Sequence, residues 1–146
     1  MLNLIQEYNR DKKTIVTTNG CFDILHVGHL NYLLDAKKQG DILIVGINTD
    51  KSVRKLKGPT RPINNENDRA LLVSALECVD YTFLFNEDTP DTFLQKIKPD
   101  IHVKGGDYTL ETLPEAKTLL ALGSKVVFIP LTEGKSSSNV IEKIQN

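Results

Sequence analysis

Thr14-Ile15-Val16-Thr17-Thr18, followed at once by Asn19-Gly20-Cys21-Phe22-Asp23-Ile24-Leu25-His26-Val27-Gly28-His29, decides how the rest of the chain is read. The first five residues form a short β-branched run, the pattern of a strand covered on both faces. Gly20 then allows a tight turn straight off the strand. His26 and His29 stand three apart, so a helix that begins here carries both on one face. Gly28 between them removes a side chain where a ligand would approach the backbone. The helix's first N–H groups and its positive dipole end point the same way. Imidazole donors, free amides and a bare glycine together read as a phosphate site. The plainer alternative makes Asp23 a helix cap, Gly28 a packing residue and the histidines partly buried bystanders; H-x-G-H placed directly after a strand, behind G-x-F-D, weighs against it. A zinc site needs a third ligand, and the only other histidine, His102, falls within a predicted strand.

Outward from this stretch the pattern alternates. Further strand-like runs lie at Asp41–Asn48, Tyr81–Phe85, Ile101–Lys104 and Lys125–Ile129. Helical patterns fill the gaps at His29–Lys38, Asn67–Leu76, Asp91–Ile97, Pro114–Leu122 and Ser138–Ile144. Gly40 is placed as a glycine closing the first of these, and Pro114 suits a first helical turn. Strand and helix alternating five times predict an α/β fold, a doubly wound five-stranded parallel sheet with right-handed crossovers. Ligands in such sheets sit beyond the carboxyl ends of the strands, so the residues just after each strand are where chemistry is expected.

With 146 residues, the chain is expected to form a single domain over residues 1–146. Charged residues make up 25% and the net charge is −1, which disfavours a duplex-coating nucleic-acid binder. The longest apolar runs, such as Ile42 to Ile47, are too short to span a bilayer. The N-terminus shows no basic stretch followed by an apolar one. Two cysteines, Cys21 and Cys78, make neither a disulfide framework nor a zinc site. The expectation is a cytoplasmic protein with no nucleic-acid or membrane partner.

Three more strand ends carry candidate groups. Positions 51 to 61 hold five basic residues and no acid, a basic loop suited to a triphosphate and a phosphorylated co-substrate. Lys104-Gly105-Gly106-Asp107-Tyr108 follows the fourth strand; its glycines permit close approach, Asp107 could accept from a ribose hydroxyl and Lys104 could reach phosphate. Ser136, Ser137 and Ser138 open the last helix, where one caps and hydroxyls with amides bind anions.

G-C-F-D-I-L-H-V-G-H resembles the signature of the cytidylyltransferase-like nucleotidyltransferases, which share H-x-G-H with class I aminoacyl-tRNA synthetases. A synthetase would need anticodon and acceptor-stem modules, for which 146 residues leave no room. K-G-x-x-R-P at Lys57–Pro62 and K-G-G-D-Y at Lys104–Tyr108 are similar to the heptose-1-phosphate adenylyltransferases of that superfamily. The segment from Leu131 resembles the R-T-E-G-I-S-T-T signature of glycerol-3-phosphate cytidylyltransferases, with Leu131 in place of its Arg and Lys135 in place of an aliphatic residue.

The resemblance implies a Rossmann-like nucleotidyltransferase that transfers AMP from ATP, with Mg²⁺, to D-glycero-β-D-manno-heptose 1-phosphate. It implies His26, His29, Lys55 and Lys57 as catalytic residues. Asn19, Gly20, Phe22, Asp23, Gly28, Lys104, Gly105, Asp107, Ser136, Ser137 and Ser138 would bind the nucleotide. Asn48, Asp50, Arg61 and Arg69 would bind the acceptor, and Asp23 would hold the metal through water. A homodimer and a separate upstream sugar kinase are also implied. Cys21 reads as a packing or backbone-shaping residue, since direct displacement needs no covalent intermediate. The same chemistry on CTP with glycerol 3-phosphate, or on ATP with FMN, stays open, as does a non-catalytic nucleotide-binding module.

Overall fold

The computed structural model describes residues 2–130 and 136–145. The chain opens with α1 (Leu2–Arg10), then β1 (Ile15–Gly20), α2 (Val27–Lys37) and β2 (Ile42–Asn48). Two helices in succession, α3 (Asp50–Lys57) and α4 (Glu66–Ser74), lead to β3 (Tyr81–Phe85). There follow α5 (Asp91–Ile97), β4 (Ile101–Gly105), α6 (Ala116–Leu122), β5 (Lys125–Ile129) and α7 (Ser137–Gln145). The strands form one sheet in the order β3-β2-β1-β4-β5, every neighbouring pair parallel. This is the predicted doubly wound α/β sheet, and the chain reverses its direction of progress between β1 and β4.

Alternation along the strands supplies both faces. Val16, Leu43, Val45, Ile47 and Val103 point to one side, where they pack with Leu33 and Ala36 of α2 and Val73 of α4. Ile15 and Ile44 point to the other, against Ile5 of α1 and Ile97 of α5. Leu94 of α5 packs with Ala116 and Leu119 of α6 in a third cluster. Because both faces are covered, the central strands read as unbroken apolar runs.

Several local expectations are corrected. The basic stretch from 51 is not a loop: Thr49 accepts the Ser52 amide at 3.3 Å and starts α3, with Asp50 in the first turn and basic residues in the last. Only Ser52 and Val53 are buried on it, so it shows no apolar stripe. α2 starts at Val27 rather than His29, with His26 as its cap. Pro114 lies before the Glu115 cap of α6, outside the helix. Gly40 follows the Lys38 cap of α2 and serves packing: a Cβ there would lie 2.7 Å from Val16 Cγ2 and 2.9 Å from Thr14 Cγ2. α1 was not foreseen.

Candidate active site

Two adjoining hollows, of about 240 and 430 Å³, open at the carboxyl ends of β1 and β4, where the sheet changes direction. They share Asn19, Gly20, Cys21, Phe22, His29, Lys104 and Tyr108 as lining. The smaller also touches His26, Gly28, Tyr32, Gly105, Asp107 and Ser136. The larger extends to Asp23, Asn48, Lys57, Arg61, Glu115 and Ser137, with Asp88 and Thr89.

The histidines are built into the start of α2. Nδ1 of His26 accepts the Gly28 amide at 3.1 Å, and Nδ1 of His29 accepts the His26 amide at 3.3 Å. Both rings thus use Nδ1 as an acceptor, which leaves the proton of each neutral ring on Nε2. The rings stack with centroids 3.8 Å apart, and Phe22 packs on His29 at 5.2 Å. Burial, assisted by the charge His26 would carry, lowers the His29 pKa to about 4. At neutral pH His29 is an uncharged N–H donor.

Phe22 has a positive φ of 49°, which folds the turn back over the end of β1. Gly20 is needed for that contact: a Cβ there would lie 3.0 Å from the Phe22 ring. The expected reason, a glycine turn straight off the strand, is replaced by a close approach within β1 itself. Beneath the turn, the Thr18 and Tyr32 hydroxyls both lie within donating distance of the Val103 carbonyl, at 2.8 and 2.9 Å, with their own oxygens 2.6 Å apart. Tyr32 was not singled out from the sequence; a tyrosine on the inner face of α2 is the signal that marks it.

Lys104, at the end of β4, reaches the Asn19 carbonyl at 3.3 Å and its Oδ1 at 3.4 Å, and lies 5.3 Å from the centre of the Tyr108 ring. Desolvation lowers its pKa, opposed chiefly by Glu115. The three serines divide their work. Ser136 accepts the Asn139 amide at 3.0 Å and caps α7. Ser137 exchanges hydrogen bonds with the backbone of Ile24 at 2.9 and 3.2 Å, and Ser138 Oγ lies 3.5 Å from Arg61 Nη1. Leu131 and Lys135 lie outside the described residues.

Four residues expected to contact ligand pair with other protein groups in the structure. Arg69 is 1% exposed and donates to the carbonyls of Asn64, Cys21 and Asn48 and to Asp50 Oδ1, at 2.7–2.9 Å. It ties the Asn64, Cys21 and Asn48 backbones to Asp50. Asp50 is its partner and lines neither hollow. Asp23 is 2% exposed; Oδ2 accepts Arg61 Nε at 2.6 Å while Oδ1 accepts the amides of Ile63 and Asn64. Its carboxylate is engaged by the protein on both oxygens. Lys55 pairs with exposed Asp88 at 2.9 Å and lines neither hollow, whereas Lys57 borders the larger one.

Asn48, 4% exposed, donates to Ser52 Oγ at 2.9 Å, and the Cys21 thiol lies 3.8 Å from its Oδ1. Burial pushes the Cys21 pKa up, so the residue is a neutral thiol in the wall and not an activated nucleophile. Among the described residues no group of three His, Cys, Asp or Glu side chains could hold a metal ion, zinc included. No helix among them is long and apolar enough to cross a membrane.

Residues 17–143 match the family model described as cytidylyltransferase-like. The chain is 47% identical over 142 residues to "Bifunctional protein HldE" of Syntrophotalea carbinolica, covering 97% of this chain and 29% of that protein. Against the protein of the same name from Citrifermentans bemidjiense it is 50% identical over 141 residues, with the same coverage. It therefore spans 29% of the length of these relatives. Among solved structures, the lipopolysaccharide core biosynthesis protein from Thermoplasma volcanium GSS1 superposes with a TM-score of 0.66 at 35% identity, over 82% of this chain and 97% of that one.

Proposed function

The chain belongs to the cytidylyltransferase-like family of nucleotidyltransferases, and on that premise we propose that it transfers AMP from ATP to D-glycero-β-D-manno-heptose 1-phosphate, giving ADP-heptose and pyrophosphate. The observation that carries the reading is the meeting of the His26–His29 pair with Lys57, Arg61 and Lys104 at two joined hollows. The heptose-type K-G-x-x-R-P and K-G-G-D-Y segments favour the acceptor. So does the likeness to a lipopolysaccharide core biosynthesis protein. The proposal includes one domain over the chain, a homodimer, and a sugar kinase supplying the acceptor.

A phosphate oxygen of the acceptor attacks the α-phosphorus of ATP in line, and pyrophosphate leaves on the opposite side. The acceptor's second pKa is about 6, so the nucleophile is already ionised at neutral pH and needs no general base. What the protein must supply is position and compensation of negative charge. His26 and His29, each with Nε2–H as donor, hydrogen-bond the phosphate oxygens on which charge grows. Lys57 and Lys104 neutralise phosphates, and Arg61, already held by Asp23, orients the acceptor's phosphate. Asn19, Gly20, Gly28, Gly105 and Asp107 line the smaller hollow on the nucleoside side. Ser136 offers its hydroxyl at the mouth of α7. Mg²⁺ would enter bound to ATP, since it keeps several waters and binds substrate phosphates with one or two carboxylates at most.

The test is a screen of pyrophosphate release with ATP, CTP, GTP and UTP against heptose 1-phosphate, glycerol 3-phosphate and FMN. Turnover confined to ATP with heptose 1-phosphate is expected. Preference for CTP with glycerol 3-phosphate would overturn the substrate assignment, and tight ATP binding with no turnover on any acceptor would overturn catalysis.

A further inference from the structure

The larger hollow is lined by an acidic residue that phosphate chemistry does not require. Glu115, the residue before α6, is 3% exposed yet lines that hollow beside Lys104 and Tyr108. One of its oxygens lies 3.3 Å from Nε2 of His102, a wholly buried residue of β4. On the other side of the ring, Nδ1 is 2.8 Å from Thr17 Oγ1, on the neighbouring position of β1. Burial lowers the His102 pKa although Glu115 opposes it, so the ring is neutral. With the Thr17 hydroxyl donating to Nδ1, the ring proton sits on Nε2 and points at Glu115. Burial acts to raise the Glu115 pKa, but the His102 hydrogen bond and the Lys104 charge outweigh it and the net direction is down.

An ionised carboxylate only accepts hydrogen bonds. In a hollow meant for two phosphorylated ligands it repels phosphate and attracts O–H groups, and a hydroxyl bound to a charged acceptor is held more firmly than one bound to a neutral acceptor. Two sources of hydroxyls meet here, the nucleotide's ribose and the acceptor. The division of the lining separates them. His26, Gly28, Gly105, Asp107 and Ser136 border only the smaller hollow, whereas Glu115 borders only the larger one, with Lys57 and Arg61.

We propose that Glu115, oriented by His102, accepts a hydrogen bond from a ring hydroxyl of the acceptor and thereby selects a polyhydroxylated sugar phosphate over a simple phosphate ester. The inference rests on the reaction proposed above and adds the residue that reads the sugar. His102 acts here as a positioning residue.

Glu115→Gln keeps the size and shape of the side chain and removes its charge. In the pyrophosphate-release assay, its KM for the sugar 1-phosphate is expected to rise roughly 10- to 100-fold, the scale of one hydrogen bond to a charged group. The KM for ATP and the inhibition constant of ethyl phosphate, competing with the sugar phosphate, stay within about twofold. His102→Phe loses the same selectivity, and His102→Gln, which keeps an N–H donor, restores part of it. Independently of any variant, deoxy analogues of the sugar 1-phosphate are tested on the unsubstituted chain: one missing hydroxyl raises KM, and Glu115→Gln is indifferent to that deletion. Equal losses on sugar phosphate and ethyl phosphate, a change confined to ATP, or equal KM values for all deoxy analogues would overturn this inference alone. No turnover of any sugar phosphate by the unsubstituted chain would instead overturn the proposed reaction.

Discussion

The β1–α2 turn and the segment from Asn48 to Arg69 both border the larger hollow, and both are rich in groups suited to phosphate. On the first, His26 and His29 use their Nδ1 atoms to cap α2, which sets the direction of both rings. On the second, a buried cation is engaged by the protein: Arg69 has an Asp50 oxygen and three backbone carbonyls. Asp23 belongs to the turn by sequence but to the second segment by contact, through Arg61, Ile63 and Asn64. A short side chain at a helix cap has its direction set by local geometry. A long one can reach ligand or protein with equal ease, and only the surrounding fold settles which. The turn's imidazoles are fixed by their own helix cap, whereas on the second segment Arg69 is tied to protein while Lys57 and Arg61 border the hollow.

Removing Arg69 separates the two roles most sharply. Arg69→Ala leaves Asp50 and three carbonyls without their partner and is expected to lower stability by about 3–5 kcal/mol, the usual cost of breaking a buried pair. Chemical denaturation reads it directly. A variant of unchanged midpoint but raised acceptor KM would return Arg69 to the ligand side and break the contrast.

His29→Ala is the converse case. Its kcat is expected to fall roughly 10²- to 10³-fold, as when one donor to a developing charge is lost, while ATP binding measured by calorimetry persists. The same ring has a signature in acid. Its native pKa of about 4 lies below the ordinary imidazole value of 6.5, so between these values the unfolded chain binds more protons. Stability then rises with pH across that window and falls on acidification from 6.5 to 4. His29→Asn should flatten that part of the stability profile; an unaltered slope would show that the ring is not desolvated.

The smallest effects distinguish two lysines two residues apart on α3. Lys57→Ala is expected to lower kcat/KM by about tenfold, the scale of one charged hydrogen bond. Lys55→Ala, which breaks only an exposed pair with Asp88, should change it less than about twofold. Equal losses would place both lysines on the phosphates and remove the distinction between lining and rim.

The legible parts of this protein share one property: their signal is local and periodic. Ile42–Asn48 and Lys125–Ile129 could be read as strands because both faces of the sheet are covered, leaving little polar alternation to confuse them. H-x-G-H after β1 could be read because capping and ring geometry are settled within four residues. α3 was hidden by its composition: with only Ser52 and Val53 facing inward, there is no stripe to count, although Thr49 and the charge gradient from Asp50 to Lys57 are start and stop signals in plain view. α1 went unread although Ile5 packs with Ile15, Ile44 and Ile97.

By itself, the order of residues determined the alternating α/β architecture, the strand ends at which to look, and the pairing of two imidazoles at a helix start. These follow from contacts between near neighbours and from burial patterns repeated along each element. Tertiary structure alone decided that Arg69 and Asp23 face protein, that Lys57 and not Lys55 borders the hollow, and that Glu115 meets His102 across thirteen residues of chain. Each depends on where a flexible charged side chain finds its lowest desolvation cost. That is fixed by the groups brought beside it from distant positions and leaves no periodic trace in sequence.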